Sequence, residues 1–343
     1  MSEPLVVVDA DVLGRRRTGD ETYVLNLLRA FVPLAPEAGL RIAAVTRHPE
    51  LVPDGIEAVE LSTPTQELRM TLMLPRLLRG LGAALGHFQY ALPLVLPCPA
   101  VVTIHDLSFE REPGLMSRKD RVIFKAVVPR AARKARRVLT VSERTRRDLR
   151  ELYGIPDDKI VVTPNGVGPA FTPSTTLVQG DYVLLVGAVQ ERKNPLAALA
   201  AADSAGLPLV VAGPAKDQAL ARELERRGAR IAGYVAEDEL VELYRGAACL
   251  VQPSHFEGFG LPVLEAMACG TPVVAVPDPA LREVAGDAAV WAGAEVHELG
   301  DGIRRAVADR ERLVAAGLER ARLFSWPESA RRTLEIYREV LGR

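Results

Sequence analysis

The sequence predicts an α/β protein made of two Rossmann-like domains. Strand-like apolar runs alternate with helix-like stretches through both halves of the chain. Its 343 residues give room for about two domains. Midway, Pro169, Pro173 and the Ser/Thr cluster at 174–176 read as a linker.

Leu5 to Val8, closed by Asp9 and Asp11, reads as a buried parallel strand with a polar end. Gly14-Arg-Arg-Arg-Thr-Gly19 is a basic loop bounded by glycines, and Tyr23 to Phe31 has helical apolar spacing. Strand, glycine loop and helix open a nucleotide-type unit. Gly19 itself suits either a phosphate-approaching loop or a plain tight turn. Arg41 to Thr46 is the next strand. Leu68 to Leu81 reads as a helix interrupted by Pro75, with Met70, Leu72, Met73 and Leu74 as packing residues. His87-Phe-Gln-Tyr90 ends a short strand. Ala100 to Ile104 is a buried strand that stops at His105-Asp106, and parallel sheets place ligands at such carboxyl ends.

Between Arg118 and Arg150, thirteen Lys or Arg stand against Asp120, Glu143 and Asp148, an excess of ten positive charges. Ile123, Val127, Val128 and Ala131 fall at helical spacing among them. A solvated amphipathic helix explains the run. So does a face for an anionic membrane or a lipid-diphosphate acceptor. No nucleic-acid recognition motif accompanies it. Val138 to Ser142 and Glu143 to Arg147 read as strand, N-cap serine and helix. Ile160 to Thr163 is a strand, and Pro164-Asn-Gly-Val167 a turn.

The second half opens with the strand Tyr182 to Gly187. Gln190-Glu-Arg-Lys-Asn-Pro195 then leads into a helix from Leu196. The forked Arg192, the compact Lys193 and the N–H groups of a helix start suit a diphosphate. Leu209 to Gly213 and Arg230 to Tyr234 are strands around a helix from Lys216 to Arg227. Asp238 to Tyr244 is a helix with Leu240, Leu243 and Tyr244 turned inward. The strand Cys249 to Val251 feeds Gln252-Pro-Ser254 and then Glu257-Gly-Phe-Gly-Leu-Pro-Val-Leu-Glu265. Gly258 to Gly260 reads as a loop and Pro262 to Cys269 as a helix, since proline suits a first turn. Glu257 then precedes the helix and Glu265 lies about a turn inside it, both expected at the rim. Loop glycines and helix N–H groups suit phosphate or sugar oxygens, while carboxylates accept from sugar and ribose hydroxyls. Gly270-Thr-Pro-Val-Val274 is a turn and a buried strand. Phe324-Ser-Trp326 starts the last amphipathic helix, with Ser325 as its cap.

Composition excludes several classes. Hydrophobic residues at 48%, charged residues at 25% and a net charge of −1 describe an ordinary globular protein with no global pull toward nucleic acid. Cys98, Cys249 and Cys269 form neither a metal motif nor a disulfide framework, which points to a reducing compartment. The opening Met-Ser-Glu-Pro and Leu5 to Val8 read as too short and acidic-flanked for a secretory signal, and no apolar run in the sequence reaches the ~18 residues of a membrane span. A cytoplasmic protein is expected, with 118–150 offering peripheral contact to the inner face of a membrane.

The stretch from Gln252 to Val274 resembles the donor-site signature of retaining GT-B glycosyltransferases of the GT4 (group 1) family, nearest the mannosyltransferase-like branch. The resemblance covers nearly the whole chain and is strongest from Tyr182 to Val274. It implies two Rossmann-like domains facing across a cleft. Residues 1–174 form the acceptor side, 175–325 bind the nucleotide-sugar donor, and the helix 326–343 packs back on the first domain. By resemblance, Arg192 and Lys193 hold the departing diphosphate, and the Gly258-Phe259-Gly260-Leu261 backbone seats phosphate and sugar. Glu257 would hold sugar hydroxyls and Glu265 the ribose, with Val235, beside Tyr234, meeting the base. His105 would reach the donor sugar, and His87 and Tyr90 are acceptor candidates. Gly19 occupies the place of the family's Gly-x-Gly-Arg-Tyr-like loop, but Gly19-Asp-Glu-Thr-Tyr23 lacks the second glycine and the basic residue.

The implied reaction moves a sugar, mannose by the subfamily resemblance, from a nucleotide-diphosphate sugar to a hydroxyl of a glycan or lipid-linked glycan. It proceeds with retention, the diphosphate assisting deprotonation of the acceptor on the leaving-group face. No Asp-x-Asp motif is present, so metal independence is expected, and no cofactor beyond the donor substrate. Two other readings stand: a nucleotide-sugar epimerase or hydrolase, and a catalytically weak binding or scaffold homologue.

Overall fold

The computed structural model describes residues 3–15, 18–115, 117–174 and 180–343. Arg16 and Arg17 of the basic loop, and residues 175 and 176 of the Ser/Thr cluster, lie outside them. The chain forms two compact units, Met1–Gly166 with Trp326–Arg343, and Val167–Ser325. The changeover falls at Gly166–Val167, ahead of the linker expected near 174. Phe171 already packs edge-on against Tyr244 of the second unit, ring centroids 6.0 Å apart. Arg245 donates to the Thr172 carbonyl there.

The first unit is a seven-stranded sheet of β1 (Leu5–Asp9), β2 (Arg41–Thr46), β3 (Glu57–Glu60), β4 (Leu85–Gln89), β5 (Ala100–Ile104), β6 (Arg137–Thr140) and β7 (Ile160–Val162). Their spatial order is β3-β2-β1-β4-β5-β6-β7, and every pairing is parallel. Runs such as Ala100–Ile104 are buried at every residue, as a central parallel strand covered on both faces must be. Strand order reverses between β1 and β4, so their carboxyl ends flank the topological switch point where such sheets bind ligands.

The helix Trp326–Val340 belongs to this unit and buries Trp326, Ala330, Leu334 and Tyr337. It corrects one expectation. His87 is fully buried, its Nδ1 2.5 Å from the Tyr337 hydroxyl and its Nε2 2.7 Å from that of Thr103. Burial, with a smaller push from His105, lowers its pKa to about 3. A neutral imidazole with both nitrogens engaged joins β4 and β5 to the last helix; it is not an acceptor contact. A strand covered on both faces hides both of its side-chain alternations, which a half-exposed strand would not.

Leu68 to Leu81 also differs from a single interrupted helix. Gln66–Leu68 is helical, Arg69–Met73 forms a π-type turn, and Leu74–Gly80 is a new helix with Pro75 in its first turn. Proline is tolerated there because that N–H has no helical partner. Leu72 and Met73 are exposed, at 39% and 36%, rather than packed. Arg69 is instead wholly buried, donating to both carboxylate oxygens of Asp9 at 2.7 and 3.0 Å.

The second unit is a six-stranded sheet of β8 (Val183–Val186), β9 (Leu209–Ala212), β10 (Arg230–Gly233), β11 (Cys249–Gln252), β12 (Val273–Ala275) and β13 (Val290–Trp291). Its order, β10-β9-β8-β11-β12-β13, is again all parallel and reverses between β8 and β11. The helix Leu261–Ala268 packs against β11, β12 and the helices Glu237–Arg245, Pro279–Ala285 and Arg310–Ala321. Apolar on nearly all sides, it is buried from Val263 to Ala268. Cys269, which follows it, is a buried thiol pushed up to about 12 by burial.

Candidate functional site

The switch point of the second sheet collects the charged residues. The turn after β8 carries Arg192 and Lys193, and the turn after β11 carries Glu257. Gly187, at φ +141°, ends β8, and a Cβ there would come within 3.0 Å of the Lys193 side chain. Only glycine leaves that space. Lys193 Nζ donates to Glu257 Oε1 at 2.6 Å, and Arg192 Nη1 lies 3.6 Å from Oε2. Gln252 adds an amide donor at 2.5 Å. The two turns are also laced through the backbone. Arg192 Nη1 donates to the Phe256 carbonyl at 2.6 Å, and the His255 N–H donates to the Arg192 carbonyl at 3.0 Å.

Burial alone would raise the Glu257 pKa. Lys193, then Arg192, outweigh it, and hydrogen bonds from Lys193 and Ser254 add to them, holding the carboxyl down at about 2. Glu257 is therefore ionised. Two cations face the Glu257 carboxylate where two loops and a helix start converge, and the buried Asp278 carboxylate accepts the Glu257 N–H at 3.3 Å. Among the sequence-predicted residues, Arg192, Lys193 and Glu257 are brought together.

Gly260, at φ +114°, turns the chain into the helix Leu261–Ala268, and a Cβ there would meet Leu281 at 2.6 Å. Pro262 has no N–H, and Val263 and Leu264 donate theirs to the Gly260 carbonyl. Whatever this turn offers an anion is thus confined to residues ahead of Pro262, fewer groups than a plain helix start provides. Phe259 is buried, edge-on to Phe324 at 5.9 Å.

Glu265 is not at the rim. It is 7% exposed, and its Oε2 accepts from the Tyr244 hydroxyl at 2.8 Å. Burial raises its pKa and the Tyr244 hydrogen bond only partly offsets this, so it reaches about 7. Glu257 is likewise buried at 6%. Two carboxyls eight positions apart are thus shifted in opposite directions by their neighbours. Val235, which follows β10, is half-buried beside an exposed Tyr234.

In the first unit, His105 follows β5 and is 8% exposed. Its Nε2 lies 2.9 Å from Gln89 Oε1. The Tyr23 ring meets it edge-on at 4.7 Å, and the Tyr90 ring lies at 5.4 Å. Burial lowers its pKa against the pull of Asp20 and Asp106. Tyr90 holds φ +59°, uncommon for an aromatic residue. Gly19 lies in the first turn of the helix Thr18–Glu37 with nothing near its missing side chain. Glu21, one of the acids replacing the expected basic residue, accepts the Gly14 N–H at 2.7 Å.

Residues 17–171 match the model described as Glycosyltransferase Family 4, and residues 173–321 match Glycosyl transferases group 1. The O-antigen chain mannosyltransferase B of Escherichia coli is 33% identical over 267 residues, 70% of either chain. The chain belongs to the group 1 glycosyltransferases. A D-inositol 3-phosphate glycosyltransferase of Acidothermus cellulolyticus is also 33% identical, over 71% of this glycosyltransferase and 62% of that protein. Anabaena HepE, solved in complex with UDP-glucose, superposes with a TM-score of 0.75 over 98% of this chain and 99% of its own. At 15% identity that likeness speaks for the GT-B fold alone.

Four features of this glycosyltransferase escape sequence reading. Arg69 closes on Asp9 from sixty positions away, and the Asp11 carboxylate between Arg47 and Arg69 extends that cluster. Tyr244 reads as packing from its spacing, yet its hydroxyl holds Glu265. Gln252 ends β11 beneath Glu257. Gln89 ends β4 beside His105. The one usable signal was position: Gln89 and Gln252 are polar residues closing buried strands.

Proposed function

We propose that this glycosyltransferase moves a hexosyl group, mannose first among candidates, from a nucleoside diphosphate sugar to a hydroxyl of a glycan or lipid-linked glycan. The observation that carries the reading is the Arg192–Lys193–Glu257 cluster at the switch point of the second sheet. Its two adjacent cations suit a leaving diphosphate, whose growing negative charge is the main thing to stabilise. The bond from the anomeric carbon to the diphosphate oxygen breaks while the acceptor oxygen adds on the same face. The freed diphosphate oxygen takes the acceptor proton, giving retention. Arg192 and Lys193 supply the positive charge a divalent ion would bring, so no metal is required. Glu257 fixes Lys193 and accepts from sugar hydroxyls, Glu265 receives the ribose, and Val235 lies against the base. The Gly258–Leu261 backbone seats phosphate and sugar. His105 meets the sugar, and Tyr90 the acceptor. The mannosyltransferase relative supports the sugar class.

Thermal shift against GDP, UDP, ADP, TDP and their common sugars, without added metal, tests this. A ligand of the folded state adds about 2.7 kcal/mol of stability at a hundredfold excess over its Kd. One base should shift the protein selectively. No shift with any nucleotide overturns the donor reading, and anomeric proton couplings of the product decide retention.

Peripheral membrane contact narrows on the structure. Much of the 118–150 charge is engaged: Arg130 donates to the carbonyls of Leu92, Pro93 and Leu94, and Arg137 and Arg146 pair with Glu339 and Asp157. No described helix is long and apolar enough to cross a membrane. What faces outward is the start of the helix Arg118–Lys134, with Val122 66% and Ile123 42% exposed beside exposed Arg118 and Lys119. Leu94 and Val95, 60% and 53% exposed, belong to the loop that Arg130 holds. An apolar strip flanked by cations suits an anionic bilayer. The protein should sediment with phosphatidylserine-containing vesicles and not with pure phosphatidylcholine. A Val122→Ser/Ile123→Ser variant should lose that binding, and equal sedimentation of both proteins would remove the membrane role.

A further inference from the structure

The carboxyl ends of β4 and β5 bring Gln89 and His105 together, and Gln89 is the residue with something unspent. Its Oε1 takes one hydrogen bond, from the imidazole at 2.9 Å. Its Nε2 is buried and has no hydrogen-bond partner among the described residues. A buried amide donor without an acceptor is costly, and this one stands at a strand end beside His105, where a ligand oxygen can satisfy it. The backbone around it is set with care. Tyr90 donates its N–H to the Thr103 carbonyl at 2.9 Å from a left-handed conformation. The Thr145 hydroxyl donates to the His105 carbonyl at 3.0 Å. Rings of Tyr23 and Tyr90 hold the imidazole from two further directions.

We propose that Gln89 is the positioning and sugar-reading partner of His105. Its carbonyl fixes the imidazole as the Nε2–H tautomer and leaves Nδ1 to accept from a sugar hydroxyl, while its own amide donates to a neighbouring oxygen of the same sugar. An acceptor and a donor side by side complement two adjacent sugar oxygens, one giving a proton and one receiving. This deepens the proposed function and rests on its reading of His105. The groups that act on the imidazole charge are Asp20 on the helix Thr18–Glu37, Asp106 beside it, and His87 on β4. Tyr23 contributes its ring edge and a phenol kept neutral by burial. None of these is hydrogen-bonded to the ring; among the described residues Gln89 is, and so it selects the tautomer.

Nitrogen-15 NMR of the wild-type protein, with His105 assigned by its loss in His105→Asn, reads the tautomer directly. Nε2 should carry the proton; a proton on Nδ1 overturns the proposal. Gln89→Glu places a carboxylate against the same nitrogen and should raise the His105 titration by about 1–3 pH units; an unmoved titration overturns it as well. Gln89→Leu should lower kcat/KM about 10- to 100-fold with nucleotide affinity unchanged. A shifted tautomer with unchanged turnover in that variant would overturn the sugar-reading role and leave packing alone. Full turnover in His105→Ala would instead overturn the reading of His105 itself. The two failures are separable, because the nitrogen shifts do not depend on turnover.

Discussion

Lys193→Ala is expected to lower kcat/KM by about 10²–10³-fold, with Arg192→Ala close behind. On the proposed reading both cations face the diphosphate as it leaves, so neither effect depends on which base or sugar is used. The two variants should differ in stability. Lys193 Nζ is buried against Glu257 at 2.6 Å, so its removal strands a carboxylate that is 6% exposed. Breaking a buried ion pair from one side costs roughly 3–5 kcal/mol. Arg192 is 20% exposed and 3.6 Å from Glu257, so its loss should cost less. A Lys193→Met/Glu257→Gln double variant removes both charges, so it should regain stability without regaining turnover. Initial rates and denaturant titrations on the three variants separate catalysis from folding. Near-normal turnover in both single variants would remove the diphosphate role.

The same pair sets an acid limit. Glu257 has its folded pKa depressed to about 2, so its contribution is present above the unfolded value near 4.5 and is lost as pH falls toward 2. In Lys193→Ala that loss should begin at higher pH, because the main charge opposing burial has gone.

The second large effect concerns Glu265. Its folded pKa, raised to about 7, lies above the ordinary 4.5. The sign is the reverse of Glu257: the stability it contributes is full below about 4.5 and is lost as pH rises through about 7. Above that point the protein keeps an ionised, buried carboxyl with the Tyr244 hydroxyl as its resolved donor. Ribose hydroxyls would add donors and favour the ionised form. Nucleotide affinity should therefore rise between about pH 6 and 8, by up to about tenfold per unit below the pKa, with proton release near pH 6.5. Calorimetry in buffers of different ionisation enthalpy measures that proton. Glu265→Gln should abolish the release, weaken nucleotide binding by roughly 10- to 100-fold, and make the free protein more stable at pH 8. Binding with no proton uptake or release, and equal affinity in the variant, would take Glu265 out of the nucleotide site.

Much of the site was legible before any coordinates. Pro262 announced a helix start, the glycines a loop, and Arg192-Lys193 a cationic turn; these are short-range signals, each set by a residue's own backbone or charge. What could not be read was company. Lys193 reads as a phosphate cation in isolation, and its partner lies sixty-four positions away across the switch point. His87 reads as a polar residue near a strand end, and Tyr337 captures it from two hundred and fifty positions away. Leu68 to Leu81 differs from one interrupted helix because a π-type turn lets Pro75 sit in the first turn of a new one.

The sequence by itself determined two α/β units, the succession along the chain of most of their buried runs and turns, and the chemical types at the strand ends. Periodicity and turn chemistry suffice for these because they act within a few residues. Only the tertiary structure decided protonation. Glu257 and Glu265 are the same residue type eight positions apart, yet two cations hold the pKa of one down at about 2 while burial raises the other to about 7. Charge state inside a protein is fixed by what folding brings within a few ångströms, and no local pattern carries that information.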